Sequence, residues 1–260
     1  MKSSITQRLI ELNRKFYFDF GDAFAATRRR IQPGIRRVLD VLPQYVPNQG
    51  NWLDLGCGAG QVAAAWAEEN RTGGYFGVDF SPSLLENARK RADSFPHPSL
   101  KIKYDLSDIE PRSLREQLPE ASFDGILAFA SLHHLPTPDL RLALLKAANH
   151  LLKPGGLFIH SEWQFQNSPR LMKRVLPWET IQLTPEDVDE NDYLLDWRYA
   201  LPGQAEQIGY RYVHIYTREE LGVLAAASSF EIIFEFDSDG KEGDLALYQG
   251  WRKIDQISNS

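Results

Sequence analysis

Cysteine is almost absent. A single thiol, Cys57, rules out any disulfide within the chain and suits a reducing compartment, so a cytoplasmic location is expected. No apolar run is long enough to span a membrane, and the first residues lack the apolar core of a secretory signal. There is no internal repeat and no low-complexity segment, which excludes solenoids and arrays. Basic charge is also in deficit. Lys and Arg number 29 against 35 Asp and Glu, a net charge of −6, so a strongly basic nucleic-acid binder is not indicated, although a local basic patch could exist. The 260 residues suffice for one large core, or one core carrying an insertion.

What is present is a glycine turn. Asn51-Trp52-Leu53-Asp54-Leu55 reads as a buried parallel strand, Gly56-Cys57-Gly58-Ala59-Gly60 as a sharp turn, and Gln61 onward as a helix. A strand, a glycine turn and a helix N-terminus together make a nucleotide site. Two ligands compete for it. A dinucleotide fingerprint wants Gly or Ala where Gln61 stands after Gly56 and Gly58. Acids also fall at successive strand ends: Asp54 at the turn, Asp79 after the second strand and Asp105 after the third. All three are expected at one sheet edge, where a pyrophosphate meets like charge and a sulfonium or ammonium meets opposite charge. A unit pair at about 4 Å is worth ~1 to 4 kcal/mol, depending on the effective dielectric. The pattern favours a cationic adenosine cofactor. Cys57 reads as a small residue tolerated in the turn.

The spacing predicts an α/β chain. A helix is expected over residues 4–18 and a second helical stretch over 21–43. Strands and helices then alternate to about residue 163, as in a parallel sheet covered on both faces. Ser81-Pro82 is expected to cap a helix. Residues 165–215 have little clean period and read as an insertion. Thr217-Arg218-Glu219-Glu220 reads as a capping box, and strands at 230–236 and 245–251 as an antiparallel pair.

The glycine turn resembles motif I of class I S-adenosylmethionine-dependent methyltransferases. Tyr75 to Asp79, Leu100 to Asp105, Phe123 to Ala128 and Leu151 to Ile159 resemble the strands that follow it, over about residues 50–165. The resemblance implies a doubly wound, seven-stranded, mostly parallel sheet with an antiparallel C-terminal strand, N-terminal helices and an insertion after strand five. The parts are one domain over 1–260: a helical lead-in at 1–47, a cofactor core at 48–163, a substrate-side insertion at 164–216, and a helix with a strand pair at 217–253. It implies S-adenosylmethionine as cofactor, held by Asp54, Gly56, Gly58, Gly60, Asp79, Phe80, Asp105, Leu106 and Ala128. Asp79 would grip the ribose hydroxyls and Asp105 the adenine amino group. No metal is expected.

A second, looser resemblance is to the tRNA wobble-uridine carboxymethyl methyltransferases. It rests on Leu12 to Tyr17, Phe24, Thr27-Arg28, His133-His134-Leu135-Pro136-Thr137, Glu162-Trp163, and Arg211-Tyr212-Val213-His214. It implies esterification of a tRNA carboxymethyl group. Arg28 would hold the cofactor carboxylate, and His133, His134, Arg211, Tyr212 and His214 would supply the acceptor side. Arg28 to Arg30, Arg36-Arg37, Arg170 and Lys173-Arg174 would form a basic rim if they converged. The chain departs from that family in its acidity, its lack of a basic tail and Gln164-Phe165-Gln166, where an acid is usual. Some members work with a small zinc-binding activator protein, for which this chain shows no sign. Other readings are a small-molecule O- or N-methyltransferase, a nicotinamide-dependent oxidoreductase and a non-catalytic RNA-binding module.

Overall fold

The computed structural model describes residues 1–27, 30–94, 99–106, 110–199 and 206–255. Two helices, α1 (Ser3–Thr27) and α2 (Pro33–Val41), precede a strand–helix alternation. It runs β1 (Gln49–Leu55), α3 (Gln61–Glu68), β2 (Thr72–Asp79), α4 (Pro82–Asp93), β3 (Leu100–Leu106), α5 (Pro111–Gln117), β4 (Phe123–Phe129), α6 (Pro138–Leu151) and β5 (Leu152–Trp163). A short helix α7 (Pro169–Met172) and strands β6 (Val175–Leu176), β7 (Asp192–Tyr199) and β8 (Gln207–His214) follow. The last elements are α8 (Arg218–Ala227), β9 (Phe230–Ser238) and β10 (Ala246–Lys253).

The seven-stranded sheet has the order β3-β2-β1-β4-β5-β10-β9. β10 alone runs against its neighbours, pairing antiparallel with both β5 and β9. This is the expected class I methyltransferase fold. Successive side chains of a strand leave by opposite faces, and here both faces are covered. Trp52 joins Trp66, Tyr75 and Leu39 on the side of α2 to α4. Leu53 joins Ile126, Phe158 and Leu144 on the side of α6 and α8. The strand order reverses between β1 and β4, which opens a crevice at the carboxyl ends.

Three local expectations change. The helices at 4–18 and 21–43 are instead one helix through Gly21 to Thr27, then α2 and a 3-10 turn at Leu42–Gln44. Gly21 does not break α1; it lets α1 cross the start of α4, where a Cβ would sit 2.7 Å from Ser83 Oγ. α2 begins at Pro33 because proline holds Gln32 extended, at φ −69° and ψ 144°. The aperiodic insertion contains a three-stranded antiparallel sheet, β6-β7-β8. Its buried positions include Asp192, Asp196, Arg211 and His214, so hydropathy does not alternate as the burial does. At α8, Thr217 caps the amide of Glu220, but the Glu220 carboxylate turns away to His214 and Arg141, leaving half of a capping box. Ser81 caps α4 as expected, accepting from the Leu84 amide. No helix among the described residues is long and apolar enough to cross a membrane.

Candidate functional site

The turn after β1 is held open by backbone conformation. Gly56, Gly58 and Gly60 all have positive φ, at 78°, 54° and 75°. The Gly56 and Cys57 amides donate to the Val78 carbonyl at 2.9 and 3.0 Å, fastening the turn to β2. At Gly60 a Cβ would meet the Tyr104 hydroxyl at 2.8 Å and Ala88 Cα at 3.1 Å, so any side chain would collide as well as strain the backbone. Gly60 starts α3 with no side-chain cap, and Gly58 and Gln61 line a cavity of ≈ 370 Å³ above the strand ends.

Two acids stand in that cavity wall. Asp54 is buried and accepts a hydrogen bond from the Tyr75 hydroxyl. Desolvation pushes its carboxyl up to about 7, with the Asp79 charge adding to the rise. Asp79 is also buried, and its oxygens accept from the Gly58 and Ser81 amides at 2.9 Å each. Desolvation lifts it to about 6 against the pull of those amides. Asp79 therefore ties the glycine turn to the start of α4. Asp105 does not join them: it is exposed and lies 3.8 Å from Lys103 Nζ. Strand alternation explains the difference, because Tyr104 takes the inward position beneath Gly60.

The opposite wall is aromatic and cationic. α1 contributes Tyr17 and Phe24, and the turn after β4 contributes His133 and His134. Arg211 of β8 lines the same cavity, with its guanidinium carbon 4.9 Å from the Phe16 ring centroid and 5.4 Å from that of Trp163. His134 Nε2 accepts from the Tyr17 hydroxyl at 2.9 Å, while Nδ1–H donates to the Tyr212 carbonyl at 3.1 Å. Desolvation, helped by the Arg211 charge, lowers its pKa to about 4, so the ring is neutral. His134 thus joins α1 to β8, and His133 is the second imidazole of the wall. Phe80 also lines the cavity, its ring edge-on to Tyr17 at 5.7 Å.

A methyltransferase-domain family matches residues 53–158, the stretch that builds the glycine turn and both acids. Over those residues the chain is similar to methyltransferase domains. It is 27% identical over 220 residues to a protein of Encephalitozoon cuniculi (strain GB-M1) named as a methyltransferase, covering 84% of this chain and 87% of the other. It is 34% identical over 124 residues to the ubiquinone biosynthesis O-methyltransferase of Xylella fastidiosa (strain 9a5c) and spans 46% of that protein's length, which is also 46% of its own. In fold it is similar to the 1,6-didemethyltoxoflavin-N1-methyltransferase of Burkholderia thailandensis, solved with 1,6-didemethyltoxoflavin and S-adenosylhomocysteine. The TM-score is 0.63 at 18% identity, over 96% of this chain and 91% of the other. The residues present fit a cationic adenosine cofactor such as S-adenosylmethionine: two buried carboxyls raised by desolvation are a poor resting arrangement and a good one beside a cation.

Several expected site residues lie elsewhere. Tyr212 is fully buried away from the cavity, donating to Asp192 Oδ1 at 2.7 Å and accepting from Arg141 Nη2 at 3.1 Å. His214 is buried between Asp192 and Glu220, at 2.8 and 2.9 Å. Both leave β8 on the face opposite Arg211, as alternation requires, and neither lines the cavity. Ala128 is packed in the core beneath α6; its neighbours Phe129 and Ala130 line the cavity instead. Arg28 and the Leu106 side chain lie outside the described residues. Of the residues expected at a basic rim, Arg30 lines the cavity, while three others are engaged away from it. Arg36 pairs with Glu68 and Glu69, Arg174 with Asp196, and Arg37 covers the Phe236 ring. No group of His, Cys, Asp and Glu that could hold a metal occurs among the described residues. Two residues were given no role from sequence. Asn13 of α1 accepts from the Tyr212 amide at 2.9 Å and donates to its carbonyl at 3.1 Å. Glu162 lies behind His133. The signal for Glu162 was its place two residues after His160, on one face of a strand.

Proposed function

We propose that the protein transfers a methyl group from S-adenosylmethionine to a small organic acceptor that carries an anionic group. Gly56, Gly58, Gly60, Asp54, Asp79 and Phe80 hold the cofactor, whose sulfonium supplies an electrophilic methyl. The observation that carries the acceptor class is Arg211, a buried guanidinium that lines the cavity opposite the glycine turn. A guanidinium presents two parallel donors to a carboxylate or phosphate. Phe16 and Trp163 pack against it, with their ring centroids 4.9 and 5.4 Å from its Cζ. α1 forms one wall of the cavity, which favours a compact acceptor over a folded RNA. The scatter of basic side chains onto separate acids points the same way.

The test is methyl transfer from labelled S-adenosylmethionine to the low-molecular-weight acid fraction of a cell extract and, separately, to total tRNA. Label in a small acid supports the proposal, and Arg211→Ala should then abolish transfer while leaving S-adenosylhomocysteine affinity in calorimetry within about twofold. Alkali-labile label on tRNA would replace the proposal with wobble-uridine esterification, in which Arg211 holds the carboxylate that is methylated. Nicotinamide-cofactor binding in place of S-adenosylhomocysteine would overturn both.

A further inference from the structure

Alternation along β5 sends Ser161 and Trp163 to the cavity and His160 and Glu162 behind it. Glu162 is wholly buried. Its Oε1 lies 2.9 Å from His160 Nδ1, and its Oε2 has no hydrogen-bond partner among the described residues. That oxygen faces His133 Nδ1 at 3.6 Å. His133 lines the cavity and is braced by the His134 and Trp163 rings, at centroid separations of 4.4 and 6.3 Å. A buried acid with one oxygen held and the other turned to a cavity-lining imidazole is an arrangement that structural packing does not require.

We propose that Glu162 is a positioning residue that holds the hydrogen of His133 on Nδ1, so that Nε2 takes the proton of a hydroxyl or amine acceptor. This deepens the reading of the cavity as a methyl-transfer site and rests on it. The acceptor's lone pair forms the bond to the methyl carbon as the carbon–sulfur bond breaks with its electrons going to sulfur. The acceptor's proton passes to His133 Nε2, and the imidazolium is held by Glu162 Oε2. A carboxylate acceptor has no proton to give and would leave the pair idle. The group on Arg211 is therefore the anchor, and the reacting atom is a protic oxygen or nitrogen elsewhere on the same molecule. The other groups around Glu162 are His160 on its own strand, Arg141 on α6, and Tyr216 and Glu220 near the start of α8. Burial, aided by Glu220 and opposed by Arg141, raises its pKa. With Oε1 on His160, Oε2 remains an acceptor.

The experiment uses the full chain with labelled histidine ring nitrogens, saturated with S-adenosylhomocysteine, and assigns His133 by comparison with His133→Gln. Nitrogen spectra are expected to show His133 as the Nδ1–H tautomer around neutral pH. Glu162→Leu, which removes the accepting oxygen, should lower its titration midpoint by about one pH unit, a tenfold loss of proton affinity. Glu162→Asp should restore part of that shift. An Nε2–H tautomer in the wild type would overturn the inference, as would a midpoint in Glu162→Leu within about 0.2 of the wild type. The wild-type tautomer decides the matter even where a variant fails to fold. Failure to bind S-adenosylhomocysteine would instead count against the proposed function.

Discussion

Asp54 and Asp79 show how burial alone tunes a pair of carboxyls. Desolvation lifts them to about 7 and about 6, so the ligand-free protein binds protons that its unfolded chain has released. The native state holds more protons than the unfolded state between about pH 4 and about pH 7. The stability these groups contribute therefore falls as pH rises through that window and levels off above it. A cationic cofactor favours the ionised form, so S-adenosylmethionine should bind roughly tenfold or more tightly at about pH 8 than at about pH 5.5. Isothermal calorimetry at the two pH values checks this, and equal affinities would remove both acids from contact with the cation. Asp79→Ala should loosen the glycine turn together with the start of α4 and cost about 2 to 4 kcal/mol of S-adenosylhomocysteine binding, because its contacts are charge-assisted. At this scale the sequence tells which residues are acids at strand ends. It does not tell which way each one points. Asp79 and Asp105 look alike in sequence, yet Tyr104 takes the inward position on β3 and Asp105 faces solvent. Tyr212 and His214 are the same lesson beside Arg211.

α1 owes its place to a single amide side chain as much as to its apolar face. Asn13 pairs with both the amide and the carbonyl of Tyr212, as a neighbouring strand would. Leu9 and Phe16 are buried one turn to either side. Asn13→Ala takes the side-chain acceptor from the buried Tyr212 amide and one of two donors from its carbonyl, which keeps His134, and should weaken the docking of α1 by about 1 to 2 kcal/mol. Hydrogen exchange should then quicken through residues 9–20, with the seven-stranded sheet little changed. Protection lost equally throughout would show that α1 does not open separately. The helical period of Ile5, Leu9, Leu12 and Phe16 makes α1 legible from sequence, but Gly21 misleads. A glycine inside a helix reads as a break until the neighbour that needs its missing Cβ is known, and here that neighbour is Ser83 on α4.

Across the whole molecule, the insertion sheet is bolted to the main body by buried charge. Arg141 of α6 lies 3.4 Å from Asp192 and 3.1 Å from Glu220, and Tyr212 and His214 complete the cluster. Removing one partner of a buried ionic cluster costs about 3 to 5 kcal/mol, because the remaining charges stay dry and unpaired. Arg141→Met should lower the thermal midpoint by about 10 °C while leaving the far-ultraviolet circular dichroism of the folded state unchanged. The doubly wound core was legible because strand ends, glycine turn and helix caps repeat in register from residue 50 to residue 163. The three-stranded sheet was not, since ionic pairs satisfy its buried positions and mask the alternation that would announce it. The helix tied down by Asn13, Tyr17 and His134 also has a kinetic consequence. α1 lines the cavity, and where that helix must move to free a bound nucleoside, departure of the spent donor should outlast the chemistry. Rapid mixing should then reveal a burst of one methylated product per enzyme, followed by a slower steady rate.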